Sequence, residues 1–457
     1  MIFKPLLLLS LAASILALDP VEVKGNALYV KDSSSRFYIR GVDYQPGGSS
    51  NLEDPLADPK TCERDIPAFK DLGINTVRVY SFDNTADHDE CMSQLADAGI
   101  YVLLDVNIPE ASISRSDASC SYNTMYLEEV FASVNAMAKY DNTLGFFAGN
   151  EVINDKPSSS AAPYVKAVVR DMKNFIKNTG LRAIPVGYSA ADVDELRLQT
   201  AEYFNCGDDE MARVDMFGFN DYSWCGDSSF TTSGYDNKVQ QFQNYTVPLF
   251  FSEFGCNRVS PRPFTEVAAL YSTKMSAVFS GGLVYEYSEE TSNYGLVEID
   301  GDSVTKNDDF ANLKKAYAAT SNPSGDGGAK SSGGASQCPK QSDNWNTTVD
   351  LPDTPFAAQR YIDGKATPKG NGFKASTQWA CTMENQLTAE AKNATDSSIS
   401  SISSTRSSST SSSASSSSAS ASASSSKKSE AYRLDAESFK WVHGLGFAGV
   451  IVGLTLI

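Results

Sequence analysis

The sequence predicts a (β/α)8 barrel, and three features of the chain support that fold class. Between residues 37 and 288, eight short apolar runs of strand length alternate with stretches of helical period. Several of the runs are continuously apolar, as in parallel strands that are buried on both faces. A doubly wound sheet would instead require a GxGxxG turn after its first strand, and residues 44–49 lack that spacing.

The predicted elements follow one another in the order that a barrel requires. A short strand at 27–30 comes first, and the eight barrel strands are predicted at 37–45, 76–82, 100–107, 144–151, 183–189, 216–222, 248–255 and 281–288. The clearest amphipathic stretches between them predict helices at 62–72, 88–98, 125–140, 161–178, 193–204 and 265–279.

Two of the predicted strands end on a glutamate. Residues 144–151 read LGFFAGNE and end at Glu151, and residues 248–253 read PLFFSE and end at Glu253. Because the carboxyl ends of all barrel strands surround one opening, these side chains are predicted to converge. Two facing carboxylates are typical of a glycosidase-type site. A single glutamate could equally be an ion-paired residue at the edge of a barrel, but the pair favours an enzyme.

The other predicted strands also end on polar side chains. Amide, carboxylate and phenol groups recur at these positions, which are Asp43, Gln45, Tyr80, Asp105, Asn107, Asn220, Tyr222, Glu286 and Tyr287. Any one of them could cap a helix or a turn. Their concentration at one end of the barrel indicates a binding site there.

Charge and histidine content exclude several classes of function. The net charge of −18 argues against nucleic-acid binding, which requires basic patches. The chain has only two histidines, His88 and His443, which argues against a Ser-His-Asp triad, a Cys-His dyad and a histidine-rich zinc site. His88 lies among acidic residues at a helix start and is predicted to be solvated. Carboxylates remain for acid–base chemistry, and no metal or organic cofactor is predicted.

The ends of the chain and its cysteines predict a secreted protein. Residues 1–17 read as a signal peptide, with one cation, an apolar core and small residues near the end. The eight cysteines form an even set without a CxxC pair, which predicts disulfides. N-glycosylation sequons occur at Asn244, Asn346 and Asn393.

Composition divides the chain beyond the signal peptide into five parts. The barrel is predicted at 18–320 and a flexible glycine-rich linker at 321–337. Residues 338–385 form an extension too small for its own core, which must lean on the barrel or on disulfides. A serine-rich stalk is predicted at 386–430 and a GPI-attachment propeptide at 431–457. The alternative for the apolar end is a tail-anchored helix.

Four collinear motifs make the chain resemble a known family. They are GVDYQPGG at 41–48, GNE at 149–151, NDYSWC at 220–225 and FSEFG at 251–255. Together they resemble the fungal GPI-anchored 1,3-β-glucanosyltransferases of glycoside hydrolase family 72, over residues 18–381. The resemblance implies a secreted, GPI-anchored, monomeric enzyme at the plasma membrane or cell wall. It implies cleavage of a β-1,3-glucan donor chain and transfer of the new end to an acceptor chain. Only two cysteines follow the barrel, so the chain resembles the short type without a cysteine-rich carbohydrate-binding module.

The resemblance also implies roles for individual residues. It makes Glu151 the acid/base, Glu253 the nucleophile and Asn150 the partner of the donor sugar's 2-hydroxyl. Further residues would line the donor side, namely Gln45, Tyr80, Asp105, Tyr222 and Tyr285. Asp192 and Arg197 would meet the acceptor, although they could instead only pair with each other on the helix after the fifth strand.

The disulfide pairs are predicted on three different grounds. Cys225 and Cys256 follow the ends of adjacent strands, and Cys62 and Cys91 lie on adjacent helices, so each pair is expected to bond. The family resemblance implies a Cys206–Cys338 bond. Cys120 and Cys381 remain by elimination, and neither the residues nor the resemblance settles their pairing.

Two alternatives to a transferase remain open from the sequence. An endo-β-1,3-glucanase would use the same two glutamates and differ only in its acceptor subsites. A non-catalytic wall-anchored protein would use the barrel alone. The sequence leaves open the chain-length preference, the ratio of transfer to hydrolysis, branching and the anchored residue.

Overall fold

The computed structural model describes residues 18–48 and 51–378, together with Cys381, Glu384, Asn385, Leu387, Thr388 and Lys392. The predicted signal peptide, the propeptide and the sequon at Asn393 lie outside the described residues, as does the serine-rich stalk apart from Leu387, Thr388 and Lys392. Among the described residues, no helix has the length and apolarity needed to cross a membrane.

Eight parallel strands close into a barrel, which confirms the predicted fold class. They are β4 (Ile39–Asp43), β5 (Thr76–Val79), β6 (Tyr101–Asp105), β7 (Thr143–Asn150), β8 (Val186–Ala191), β9 (Met216–Cys225), β10 (Leu249–Cys256) and β11 (Phe279–Val284). Each pairs in parallel with its neighbours in sequence, and β11 closes the ring by pairing with β4.

A small sheet precedes the barrel and covers its amino-terminal end. Its three antiparallel strands are β1 (Val21–Lys24), β2 (Ala27–Val30) and β3 (Arg36–Phe37). Their buried side chains join the inward-facing side chains of the barrel strands, such as Phe147 and Phe250, in one apolar cluster. Burial at this end leaves the carboxyl ends of the strands for chemistry.

Helices surround the barrel. They are α1 (Pro59–Leu72), α2 (Asp89–Asp97), α3 (Ala118–Ser121), α4 (Thr124–Met137), α5 (Ala162–Asn178), α6 (Arg197–Phe204), α7 (Tyr235–Phe242), α8 (Glu266–Leu270), α9 (Asp308–Ala319) and α10 (Gln359–Ile362). A hairpin, β12 (Val297–Asp300) with β13 (Ser303–Lys306), follows β11. Asp58 begins α1 by accepting the Lys60 N–H, and Gly73 ends it with φ of +74°.

Two predicted helices are shorter in the structure. The helix predicted at 265–279 is wrong beyond α8, because the Ser272 hydroxyl donates to the carbonyl of Ala269 at 2.7 Å and the chain continues in turns. The helix predicted at 193–204 begins only at Arg197. Residues 192–196 instead form a loop over the end of β8.

His88 is buried, so the prediction of a solvated histidine is wrong. It is 2% exposed, and its Nε2 lies 2.8 Å from Oδ2 of Asp54. The same Asp54 oxygen accepts the backbone N–H of Asp83. His88 therefore ties the loop before α1 to the start of α2.

All four disulfides form as predicted. They are Cys62–Cys91, Cys120–Cys381, Cys206–Cys338 and Cys225–Cys256. The Cys120–Cys381 bond is the pairing that the sequence had left open.

The segment 321–337, predicted as a flexible linker, is held against the barrel by hydrogen bonds. The Arg36 guanidinium donates to the carbonyl of Asp326 at 2.6 Å, and the backbone N–H of Ser336 donates to the carbonyl of Asn205 at 2.9 Å. These bonds lead the chain directly to the Cys206–Cys338 disulfide. The glycines here therefore shape turns on the barrel surface rather than form a free spacer.

The extension after Cys338 leans on the barrel, as its size requires. The Trp345 ring is fully buried against Tyr203, with ring centroids 5.4 Å apart. Arg170 of α5 donates to the carbonyl of Pro352 at 2.9 Å. The described sequons Asn244 and Asn346 are both exposed, so each side chain is available for modification.

Candidate active site

Glu151 follows the last residue of β7, where the backbone turns sharply. Its φ of +50° is a left-handed conformation that costs a non-glycine residue roughly 1–3 kcal/mol and is concentrated at functional sites. The Glu151 N–H donates to the carbonyl of Ser189 on β8 at 2.9 Å. The side chain then meets Asn220 of β9, whose Nδ2 donates to Oε1 at 2.8 Å. The carboxylate is therefore held at the opening of the barrel.

Glu253 lies within β10, two strands away from β8, and is 7% exposed. The Tyr80 hydroxyl donates to its Oε1 at 2.8 Å, and the Tyr222 hydroxyl donates to its Oε2 at 2.7 Å. The Arg78 guanidinium lies 3.4 Å from Oε1. Donors on both oxygens fix the carboxylate in one orientation.

The surroundings of Glu253 set its proton affinity. Burial raises the pKa of Glu253 to about 7, the positive charge of Arg78 opposes this rise, and the charge of Glu151 adds to it. Burial also raises the pKa values of Tyr80 and Tyr222 well above their ordinary value. Both phenols therefore keep their protons and remain hydrogen-bond donors to the carboxylate.

Arg78 is the central cation of the site, and it is not among the site residues predicted from the sequence. It is fully buried in β5, and its Nε and Nη2 donate to the two oxygens of Asp105 at 2.8 and 3.1 Å. Its Nη1 lies between Glu253 and the Tyr80 hydroxyl. The available signal was a charged residue inside the apolar strand run Thr-Val-Arg-Val.

Two further carboxyl groups lie beside Glu253. Asp43, at the end of β4, is completely buried, and within the described residues neither of its oxygens has a hydrogen-bond partner. Burial raises the pKa of Asp43 well above its ordinary value and that of Glu286 to about 8. Both groups therefore hold protons tightly, which limits the negative charge around Glu253.

A chain of amide and hydroxyl groups connects the two glutamates. The Oδ1 of Asn150 accepts Nδ2 of Asn220 at 3.1 Å and the Ser189 hydroxyl at 2.7 Å. The Ser252 hydroxyl, one residue before Glu253, donates to Oδ1 of Asn220 at 2.8 Å. This fixes the direction of the Asn220 amide, with its N–H group toward Glu151. Ser189 and Ser252 carried no signal in the sequence.

Four half-buried tyrosines form a wall beside Glu253. The Tyr285 ring packs edge-on against Tyr80 and Tyr222, each 6.4 Å away, and against Tyr294 at 5.3 Å. Partly exposed aromatic faces with hydroxyl groups suit a ligand that is apolar on its ring faces and polar at its edges. Tyr294 was not predicted, because it lies in the loop after the last strand.

The remaining predicted site residues serve neighbouring loops. Gln45 accepts the backbone N–H groups of Tyr80 and Ser81 and donates to the carbonyl of Glu53 at 2.9 Å. Asp192 lies just past β8, where its Oδ1 accepts from Arg197 and its Oδ2 lies 3.1 Å from Nζ of Lys238. The structure therefore brings the predicted donor-side residues other than Gln45 together around the glutamates. It places Asp192 on the adjoining loop and Arg197 at the start of α6.

A closed eight-stranded barrel with two hydrogen-bonded glutamates at the carboxyl ends of its strands defines a class of proteins, the carboxylate-dependent enzymes that act on glycosidic bonds. The family model described as "Glucanosyltransferase", of glycoside hydrolase family 72, matches residues 10–321. The chain belongs to this family.

Named relatives cover most of the chain. It is 64% identical over 398 residues to the 1,3-β-glucanosyltransferase PGA4 of Candida albicans, covering 87% of this chain and 88% of that protein. It is 60% identical over 364 residues to the 1,3-β-glucanosyltransferase GAS5 of Saccharomyces cerevisiae, covering 79% and 75%. A solved structure of a Glu-to-Gln variant of Saccharomyces cerevisiae Gas2 with laminaritetraose and laminaripentaose has a TM-score of 0.69 and 43% identity, covering 75% of this chain and 76% of that one.

Proposed function

We propose that the chain is a retaining 1,3-β-glucanosyltransferase that elongates β-1,3-glucan chains. The observation that carries the proposal is the pair of glutamates in unlike surroundings. Glu253 is buried between two phenols and a guanidinium, whereas Glu151 faces the amide of Asn220 beside the loop after β8. The two phenols and the guanidinium stabilise the Glu253 carboxylate and so oppose the rise in its pKa that burial causes, which favours the ionised form that a nucleophile needs.

In the first step the ionised Glu253 attacks the anomeric carbon of an internal glucose of the donor chain. The bond from that carbon to the leaving oxygen breaks, and the Glu151 carboxylic acid gives its proton to that oxygen. The product is a glycosyl ester on Glu253 and a released chain. Tyr80 and Tyr222 hold the nucleophile in place before the attack.

In the second step Glu151, now ionised, takes the proton from the incoming hydroxyl. That oxygen bonds to the anomeric carbon and displaces Glu253, which returns as a carboxylate. A 3-hydroxyl of a second glucan chain gives elongation, whereas water gives hydrolysis. An endo-β-1,3-glucanase would therefore be the outcome if water prevailed.

The subsites are proposed from the placement of the side chains. The donor chain lies along the tyrosine wall with Asn150 near its 2-hydroxyl, while Gln45 and Asp105 support that wall from below. Asn150 is half-buried next to Glu151, as such a contact requires. Asp192 and Arg197, beyond β8, belong to the acceptor side.

The proposed enzyme works outside the cell as a monomer. Four disulfides in the described residues fit an oxidising compartment. Attachment through a GPI lipid at the outer face of the plasma membrane is proposed from the sequence of residues 431–457, and the signal peptide from residues 1–17.

The stereochemistry of the product gives the first test. We expect the carboxyl groups of Glu151 and Glu253 to lie about 5–5.5 Å apart in a crystal structure, the spacing of retaining pairs. Proton NMR should then show a β-linkage in the transfer product, and the β-anomer first at the new reducing end that water forms from the glycosyl ester. An initial α-anomer, or a separation of about 9 Å, would indicate inversion and contradict the proposed covalent intermediate.

Product length gives the second test. Water is present at roughly 55 M, so an acceptor at millimolar concentration needs an advantage of about 5–6 kcal/mol from binding and orientation to win. We expect laminarin-type oligosaccharides to yield chains longer than the starting material. In Arg197→Ala the balance between transfer and hydrolysis should move toward shorter products, because the acceptor side of the site loses this cation. If the wild-type protein gave only products shorter than its substrate, the alternative of an endo-β-1,3-glucanase would be established instead.

A further inference from the structure

A buried cation connects the loop after β8 to the catalytic end of β9. Lys238 lies on α7 and is 4% exposed. Its Nζ lies 2.6 Å from Oδ2 of Asp221 and 3.1 Å from Oδ2 of Asp192. It also donates to the Ser223 hydroxyl at 3.0 Å. An ammonium group is expensive to bury, and three oxygen partners compensate for the lost water.

One end of this connection is part of the catalytic strand. Asp221 stands between Asn220, which donates to Glu151, and Tyr222, which donates to Glu253. The side chain of Asp221 is fully buried. Asp221 therefore gives Lys238 a fixed attachment point on the part of β9 that holds both glutamates, a part that strand pairing also keeps in place.

The other end lies on the side of the site where the acceptor must enter. Glu151 exchanges its proton with the leaving oxygen and later with the acceptor hydroxyl, so the acceptor binds beside Glu151. The Glu151 N–H is bonded to Ser189 of β8, and Asp192 follows three residues later. Asp192 in turn accepts from Arg197 through its other oxygen. The loop 192–196 is therefore anchored at the Asp192 carboxylate, by Lys238 of α7 and by Arg197 at the start of α6.

We propose that Lys238 is a positioning residue that fixes the acceptor-side loop 192–196 relative to the catalytic end of β9, and that it thereby favours transfer over hydrolysis. This inference rests on the proposed transferase function. Lys238 acts through Asp192 and Asp221 and does not touch the reacting atoms. Loss of its charge removes the contact from Asp192 to α7, while the pairing of Asp192 with Arg197 and the hydrogen bonds of both glutamates persist. Water needs no ordered loop, but a sugar hydroxyl must be oriented within a fraction of an ångström.

The test compares Lys238→Gln with wild type, using a 1,3-β-gluco-oligosaccharide donor and increasing concentrations of a labelled acceptor oligosaccharide. We expect the ratio of transfer to hydrolysis to fall about tenfold, with a higher acceptor concentration at half-maximal transfer. Donor cleavage without added acceptor should stay within about threefold of wild type. Lys238→Arg keeps the charge and should restore most of the transfer ratio.

Lys173→Gln is the matched control, because Lys173 is a half-buried lysine that also pairs with an aspartate next to β9. Its Nζ lies 2.7 Å from Oδ1 of Asp215, at the opposite, amino-terminal end of β9. This variant should keep the wild-type transfer ratio. If Lys238→Gln fails to fold by circular dichroism, Asp221→Asn removes the strand end of the same connection and should shift the ratio in the same direction.

Equal losses of transfer and hydrolysis in Lys238→Gln, or an unchanged ratio in a folded variant, would overturn the proposal. If Asp221→Asn is used in place of Lys238→Gln, an unchanged ratio of transfer to hydrolysis in Asp221→Asn would also overturn the proposal. These outcomes are distinct from failure of the transferase function itself. In that case the wild-type protein yields only products shorter than its substrate.

Discussion

Glu253→Gln is expected to lower the rate of glucan cleavage and transfer by at least about a thousandfold, because an amide cannot form the glycosyl ester on which both steps depend. The variant keeps the size and shape of the side chain between Tyr80 and Tyr222. The measurement is the initial rate of product formation from a 1,3-β-gluco-oligosaccharide, read together with thermal unfolding.

The stability of Glu253→Gln should not fall with its activity. Burial raises the pKa of Glu253 to about 7, above the value near 4.3 of an unfolded chain. Its contribution to the free energy of unfolding is therefore present below about pH 4 and is lost as the pH rises through 7. A neutral glutamine escapes this loss. At pH 8 the thermal midpoint of the variant should match or exceed that of wild type.

Glu266→Gln is the matched control for this experiment. Glu266 is also buried, and burial raises its pKa to about 7, but it lies on α8 outside the barrel strands. Its replacement should leave the rate within about twofold of wild type. If Glu253→Gln kept more than about a tenth of the wild-type rate, Glu253 would not be the nucleophile.

Arg78→Gln is expected to damage both stability and the pH profile. The change leaves Asp105 buried without its cation, and breaking a buried ion pair in this way costs about 3–5 kcal/mol of unfolding free energy. Arg78 also lowers the pKa of Glu253, so its loss raises that pKa above 7. Because the nucleophile must be ionised, the rate falls as the pH drops through this pKa. The acid limb of the pH–rate profile should therefore move to higher pH.

The measurement is kcat/KM against pH for wild type, Arg78→Gln and Arg78→Lys at a temperature where all three are folded. Lysine keeps the charge but loses the two parallel bonds to Asp105. Its acid limb should lie between those of the other two proteins. An acid limb that stays in place in folded Arg78→Gln would show that this guanidinium does not set the ionisation of Glu253.

The barrel and the two glutamates were predictable because they depend on local patterns. Apolar runs that end on Glu151 and Glu253 are visible in the chain itself, and barrel closure then brings their ends together. Arg78 was not predictable in its role, since its partners Asp105 and Glu253 lie on other strands. The prediction of a solvated His88 was wrong for the same reason, because its buried partner Asp54 belongs to the preceding loop.

The boundaries of elements were less predictable where side chains compete with the backbone. The Ser272 hydroxyl bonds back to Ala269 and helps to end α8, which the apolar periodicity does not reveal. The role of segment 321–337 was hidden similarly. Its composition is that of a free linker, but Arg36 and Asn205 bind it to the barrel.

The Cys120–Cys381 bond also has a mechanical meaning. Cys120 belongs to the short α3, and the backbone N–H of Thr124, which begins α4, donates to the Glu384 carboxylate beside it. Tension on the chain beyond Cys381 passes through this covalent bridge into the barrel. The weaker contacts of Trp345 and its neighbours then lie outside the path of the force. When force acts on the chain beyond Cys381, the extension should therefore stay packed on the barrel. Reduction of the Cys120–Cys381 bond would let the same force detach the extension as far back as Cys338.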